Sequence, residues 1–234
     1  MAENDGIWRT IKGVRVFIKD GQSLSEALAE RKKEIQVKLT QQLEETIVKP
    51  EYKVLDKSGI AELQKQSDDV YSNLNFEQKN ALDEYSCTAY SHITAFLNKK
   101  GPESVSYIGG KTMDVKKMAD DIESSMENFT LTEDVVTFRG VNATRYENLE
   151  IGDTIIINHF PSTSLDMAVA KQYMEDRQSA LMLMILVPKG TRSIYIGKNG
   201  SLGNEKELLL NRKLKYNVVE RKKDILTLEV VTNE

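Results

Sequence analysis

The apolar positions of this chain change period part-way along. From residue 23 to 126 they recur at three- and four-residue spacing, and after Phe129 they gather into short runs broken by glycine and proline. Leu24, Leu28, Ile35, Leu39 and Leu43 mark one long amphipathic helix over residues 23–47 that stops near Pro50. Ser23-Leu24-Ser25-Glu26 opens it as a capping box, a serine accepting orphan amide hydrogens while a glutamate three residues on reaches back. A second helix is expected from about Ile60. The third is capped by Asn75 and turns Phe76, Leu82, Tyr85, Ala89 and Ile93 inward. Lys99 and Lys100 suit the negative end of its dipole, and Gly101 offers a left-handed exit. A fourth helix covers Asp114 to about Met126. The β-prone runs are Val135–Arg139, Thr154–Phe160, Leu181–Val187, Ser193–Ile196, Glu207–Asn211, Lys215–Val219 and Ile225–Val231, with one short helix between Leu165 and Met174. Helices followed by a block of strands predict an α+β domain, its helices packed on a mainly antiparallel core.

Composition narrows what such a domain can do. A chain of 234 residues holds one large domain or a domain with an extension, here drawn as residues 1–60 and 61–234. With 40% hydrophobic and 29% charged residues it has an ordinary soluble composition, and a net charge of −4 argues against a broad nucleic-acid surface. The longest apolar run, Ala180 to Val187, has the length of a buried strand and not of a membrane span. Met1–Gly6 is polar and acidic, unlike a secretory signal. The single cysteine, Cys87, excludes an internal disulfide and, inside a helical pattern, is expected to be buried and inert. His92 and His159 lack Cys or His neighbours at metal spacing, so no metal is expected. Gly109-Gly110-Lys111 is not followed by the residues a phosphate loop needs, and no strand, glycine turn and helix occur in sequence.

Three polar features interrupt the strand half. Arg139 closes a β-prone run in Phe138-Arg139-Gly140. Ser162-Thr163-Ser164 follows Phe160-Pro161. Glu205-Lys206-Glu207 opens the apolar run Leu208–Leu210. Each has a plain structural reading: a surface ion pair, a helix cap, a solvated strand end. The glutamates raise a sharper question, because alternate residues of an extended chain share a face about 7 Å apart, where two like charges repel. Such a pair suits a cation or a developing positive charge.

The three features in this order, with Phe76-Glu77-Gln78, Ala81-Leu82, Tyr85, Tyr90, Ile93 and Leu97 before them, resemble the arginine–serine–glutamate class of mono-ADP-ribosyltransferase toxins. The resemblance covers roughly Phe76 to Val231. It implies an ADP-ribosyltransferase fold, with amino-terminal helices on a core of two roughly perpendicular, mainly antiparallel sheets. It further implies NAD as the substrate consumed and a protein as acceptor. Arg139 would then grip the diphosphate, the Gly140 backbone the nicotinamide carboxamide, and Glu207 the ribose, with Ser162 orienting Glu207. Thr163 and Ser164 would stabilise the turn and line the cleft. Glu205 would recruit and deprotonate the acceptor, and in this class a glutamate at that position accompanies arginine. Two features depart from the pattern. Leu202, inside the flexible-looking stretch Gly197–Asn204, stands where relatives often carry an aromatic residue. Arg177 and Tyr173 are the local candidates for a second phosphate contact and a nicotinamide contact.

Gly6-Ile7-Trp8-Arg9-Thr10-Ile11 and Val14–Lys19, around Lys12-Gly13, read as a pair of short strands. With Asp20 to Leu24 they resemble a segment of phage head-morphogenesis (minor capsid) proteins, which implies a phage or prophage origin, capsid association, and a virion-borne or host-delivered location. A partly ordered tail anchored by Trp8 is the plainer reading. Two rivals to the transferase remain open: a NAD glycohydrolase with water as acceptor, and an idle phage adaptor that docks through helix 23–47.

Overall fold

The computed structural model describes residues 6–11, 14–33, 51–106, 112–174, 179–200 and 203–232. These group into two compact units, Met1–Lys49 and Pro50–Glu234. In the first, strands β1 (Gly6–Ile11) and β2 (Val14–Lys19) pair antiparallel, with Trp8 opposite Phe17. A helix over residues 24–33 (α1) follows. Its capping box is formed: the Ser23 amide donates to Glu26 Oε2 at 2.9 Å and the Glu26 amide to Ser23 Oγ at 3.3 Å. Ile35, Leu39 and Leu43, expected further along this helix, lie outside the described residues, as do Lys12-Gly13 and Gly109-Gly110-Lys111.

The second unit begins with α2 (Lys57–Asn73), capped by Asp56, and α3 (Phe76–Glu84), capped by Asn75 with Gln78 reaching back. A π-helical turn, Tyr85–Ala89, joins α3 to α4 (Tyr90–Leu97). Beyond α4, the short pair β3 (Ser104–Ser106) and β4 (Thr112–Asp114) leads into α5 (Val115–Ser125). Eight further strands form the sheet: β5 (Val135–Asn142), β6 (Thr154–Ile157), β7 (Ser162–Ser164), β8 (Ala180–Val187), β9 (Ser193–Tyr195), β10 (Glu207–Leu210), β11 (Leu214–Lys222) and β12 (Ile225–Val230). A short helix, α6 (Met167–Gln172), lies between β7 and β8 in the chain.

Their order is β6-β11-β12-β8-β5-β7-β10-β9, antiparallel throughout except for β8 beside β12. Between β5 and β7 the ladder narrows to one residue pair, Phe138 opposite Ser164. Five strands therefore stand on one side of that seam and three on the other. Two sheets were expected from the sequence; the strands form one eight-stranded sheet whose two groups are joined at that single pair.

Strand β8 shows why its sequence is apolar without alternation. Leu181, Leu183, Ile185 and Val187 pack in the core shared with Leu82, Ile93 and Ile122 of the helices. Met182 joins Val136, Phe138 and Ala170 in a second core beneath α6. A strand covered on both faces loses the period-two signature. Strand β5 is covered in the same way, sending Val135 and Val141 to the first core and Val136 and Phe138 to the second. Among the described residues no helix is long and apolar enough to cross a membrane.

Several expectations needed correction. Ser162–Ser164 is not a turn but a strand, paired with β10 through Glu207↔Ser164 and Leu209↔Ser162. Strands β3 and β4 were not foreseen, since each has a single apolar residue, Val105 or Met113, too little to mark a strand. Phe76 is 78% exposed, since it enters α3 one turn before that helix meets the core. The left-handed residue ending α4 is Lys99 (φ 58°), not Gly101. The Lys100 amide reaches back to the Ala95 carbonyl and the Lys99 amide to that of Phe96, both at 2.8 Å, closing the helix end two residues earlier than the glycine would.

Candidate active site

Where the ladder narrows, a cleft of about 360 Å³ opens. Eight of the nine candidate site residues singled out in the sequence border it: Arg139, Gly140, Ser162, Thr163, Ser164, Tyr173, Glu205 and Glu207. The ninth, Arg177, lies outside the described residues.

Alternation along β5 directs Arg139 and Gly140 to opposite faces. Arg139 Nη2 donates to the Tyr90 hydroxyl at 2.6 Å and Nη1 to the Ser162 carbonyl, with the guanidinium 5.8 Å from the centre of the Tyr90 ring. Tyr90 is held edge-on by Tyr85, whose hydroxyl donates to the Phe160 carbonyl at 2.6 Å. Among the described residues no carboxylate forms an ion pair with Arg139. A half-buried guanidinium satisfied only by neutral oxygens retains its full attraction for an anion. Gly140 meets a different demand. A Cβ there would lie 2.5 Å from the Ala170 carbonyl and 2.8 Å from Met174 Cγ, so glycine lets α6 pack against β5.

Glu207 opens β10 and is 5% exposed. Ser162 sits opposite Leu209, so Glu207 is its diagonal neighbour on the same face, within side-chain reach. The Ser162 hydroxyl is hydrogen-bonded to the Glu207 carboxylate. Ser86 Oγ, from the π-helical turn, donates to Oε2 of the same group at 3.1 Å. Burial pushes the Glu207 carboxyl above the ordinary carboxylate value, and Glu205 adds to that; the two serines and Arg139 act against it without cancelling it. Thr163 Oγ1 donates to the Leu208 carbonyl and Ser164 Oγ to the Glu205 carbonyl, both at 2.6 Å, tying β7 to the segment that carries both glutamates.

Glu205 does not lie on the strand. It ends a 3-10 turn, Gly203–Glu205, and Lys206 follows with φ 49°. The two glutamates border one cleft because the chain turns between them, not because of the pleat assumed from the sequence. Lys206 points elsewhere, pairing with Asp166 at 2.7 Å. The Tyr173 hydroxyl, at the end of α6, donates to Glu205 Oε1. Burial, and then this bond to a carboxylate, push the Tyr173 phenol upward. Tyr173 is 47% exposed and borders the cleft, so it does not face the core.

The stretch ahead of Glu205 is more tightly held than its glycines imply. Gln64 Oε1 on α2 accepts the Lys198 amide at 2.9 Å, and Asn199 Nδ2 donates to Asp68 Oδ1 at 3.0 Å and Ser67 Oγ at 3.1 Å. Leu202 lies outside the described residues. Cys87, expected to be buried, is exposed and borders the cleft beside Ser86. Sequence reasoning did not identify Ser86, and it used Tyr90 only as part of a helix pattern. The one signal available was the four-residue spacing from Ser86 to Tyr90, which many solvated helix faces share.

Known proteins resemble this chain in sequence and in fold. The family model described as ADP-ribosyltransferase exoenzyme matches residues 63–233. The NAD(+)–arginine ADP-ribosyltransferase EFV of Enterococcus faecalis is 32% identical over 175 residues, covering 73% of this chain and 34% of the relative. The chain thus spans about a third of the length of the curated relative it matches. Among solved structures, Plx2a, an ADP-ribosyltransferase toxin from Paenibacillus larvae, superposes with a TM-score of 0.60 at 20% identity, covering 76% of this chain and 98% of that one. C3stau2 from S. aureus, solved with NAD, gives 0.56 at 18% identity, covering 80% and 100%.

Proposed function

Since the chain belongs to the family of ADP-ribosyltransferase exoenzymes, we propose that it breaks the nicotinamide–ribose bond of NAD and passes the ADP-ribose to an arginine side chain of a protein. One observation carries the reading. A guanidinium with no carboxylate partner among the described residues and a buried carboxylate under two hydroxyls open onto the same cleft. The residues fit the substrate. A diphosphate can replace the neutral oxygens that now accept from Arg139 with charged ones, in the two-pronged contact a guanidinium favours. The cleft volume also falls in the usual range for small-molecule sites, about 300–1,000 Å³.

In this reading Glu207 accepts hydrogen bonds from the ribose. Its attraction grows as positive charge develops on the sugar and the bonding pair leaves with the nicotinamide nitrogen, so the group stabilises the transition state more than the ground state. Ser162 holds that carboxylate, Thr163 and Ser164 brace the wall behind it, and the Gly140 main chain meets the carboxamide. Glu205 draws in the acceptor guanidinium and takes its proton as the new bond forms on the opposite face, with inversion. Arginine as acceptor is supported by a carboxylate at residue 205 and by the E. faecalis relative, whose name specifies arginine.

Water as acceptor is the second reading. It is favoured by the Tyr173 hydroxyl, which donates to the Glu205 carboxylate that an arginine acceptor would need. Incubating the chain with NAD and agmatine, and following nicotinamide and ADP-ribosyl-agmatine separately, distinguishes the two. Both products support transfer, nicotinamide alone supports glycohydrolysis, and neither supports an idle adaptor.

The segment from Gly6 to Leu24, by its resemblance to head-morphogenesis proteins, supports a phage or prophage origin with capsid association and delivery into a host. Finding the chain by mass spectrometry in purified particles from the strain that encodes it would bear this out. Particles free of it would contradict capsid association.

A further inference from the structure

The helix facing the cleft is α-helical to Glu84, π-helical over Tyr85–Ala89, and α-helical again from Tyr90. Its core face is continuous through the change, with Leu82, Tyr85, Ala89 and Ile93 at most 1% exposed. The adjoining face is what the π turn offers to the cleft, and Ser86 and Tyr90 stand on it. A mid-helix serine usually returns its hydroxyl to the carbonyl of the preceding turn. Ser86 instead donates to Glu207 Oε2, 121 residues away in sequence. One helical turn thus supplies a donor to the cleft's buried anion through Ser86 and an acceptor to its cation through Tyr90. π-Helical turns occur often at functional sites.

Resting on the activity proposed above, we propose that Ser86 is a positioning residue for Glu207, fixing the rotation of its carboxylate and keeping it ionised under the ribose. An ionised carboxylate only accepts hydrogen bonds, and a buried one needs donors for its lone pairs. Ser162 supplies one from β7 and Ser86 the other from the helix. Two donors from separate elements restrict rotation about the last side-chain bond, which one donor alone leaves free. Among the described residues no other group around Glu207 does this. Arg139 from β5 attracts it and Glu205 repels it, while the phenols of Tyr71 on α2, Tyr85 on the π turn and Tyr173 at the end of α6 interact with it electrostatically.

The test compares wild type, Ser86→Ala and Ser86→Thr as full chains, with two readouts: the titration of the Glu207 carboxyl by carbon NMR, and the pH profile of nicotinamide release. Alanine favours helices and the site is half-buried, so the fold should survive the change. For Ser86→Ala we expect the Glu207 titration to move up and the acid limb of kcat to move with it. Its kcat should fall about tenfold while KM for NAD changes less than about twofold, the mark of a contact that matters in the transition state. Ser86→Thr, which keeps a hydroxyl, should restore all three. An active wild type whose Ser86→Ala variant keeps its titration and kcat overturns this role and leaves the activity standing. So does a loss of kcat without a moved acid limb that threonine fails to restore, because that pattern belongs to packing. A folded wild type that leaves NAD intact overturns the proposed activity, and Ser86's role with it.

Discussion

Glu207 and Glu205 are two residues apart and border one cleft, yet their surroundings differ at every point. Glu207 is 5% exposed, opens a strand and is held by Ser162 and Ser86. Glu205 is half-buried, ends a 3-10 turn and is met by the hydroxyl of the exposed Tyr173. The difference matches two chemical tasks. A charge that appears briefly on a fixed sugar is best met by a carboxylate fixed beforehand, away from water. An arginine arriving on another protein needs an acid that solvent and substrate can reach.

The largest effect should come from Glu207→Gln, which keeps the shape and removes the charge. Nicotinamide release should fall at least ~10²-fold. The same variant should melt no lower than wild type at neutral pH. Burial raises the folded-state pKa of Glu207 above its ordinary 4.5, so its contribution to stability is present below 4.5 and is lost as pH rises through the folded value. Ionised Glu207 therefore costs stability at pH 7, and calorimetry showing a clear drop in Tm for Glu207→Gln would break the comparison. The pH profile follows the same sign: if the ionised form works, the acid limb of nicotinamide release in wild type lies above 4.5.

Arg139→Lys comes next. An ammonium cannot reproduce the two-pronged contact, so KM for NAD should rise about tenfold, measured by initial rates. Gly140→Ala places a methyl group 2.5 Å from the Ala170 carbonyl and should cost about 1–3 kcal/mol in denaturant unfolding as α6 shifts. Tyr173→Phe is the smallest. Losing one hydroxyl from Glu205 should slow transfer to agmatine about fivefold, with nicotinamide release nearly unchanged. An equal loss in both rates would mean that Glu205 and Glu207 work as one unit.

Much of this arrangement was legible in the chain. Seven strands follow from their apolar runs, and Arg139, the Ser162–Ser164 run and the two glutamates from chemistry tied to position. What escaped has physical reasons. Ser162–Ser164 carries no apolar residue, so its strand character comes only from its neighbours β5 and β10. Ser86 looks like any solvated helix position, and Cys87 like a buried one, until a π turn brings them to the cleft. Glu205 was placed on a pleat because alternation is the default for an extended chain, and a left-handed Lys206 is not written in its side chain. Gly140 was read for its reach to substrate, whereas its missing Cβ makes room for α6.

The division of labour between the glutamates is tested most directly by Glu205→Gln in a single assay with NAD and agmatine, nicotinamide and ADP-ribosyl-agmatine counted together. Transfer should fall about a hundredfold, the scale of a lost general base, while nicotinamide release falls far less, so that water takes most of the ADP-ribose. Equal losses of both products, or transfer left intact, would contradict it.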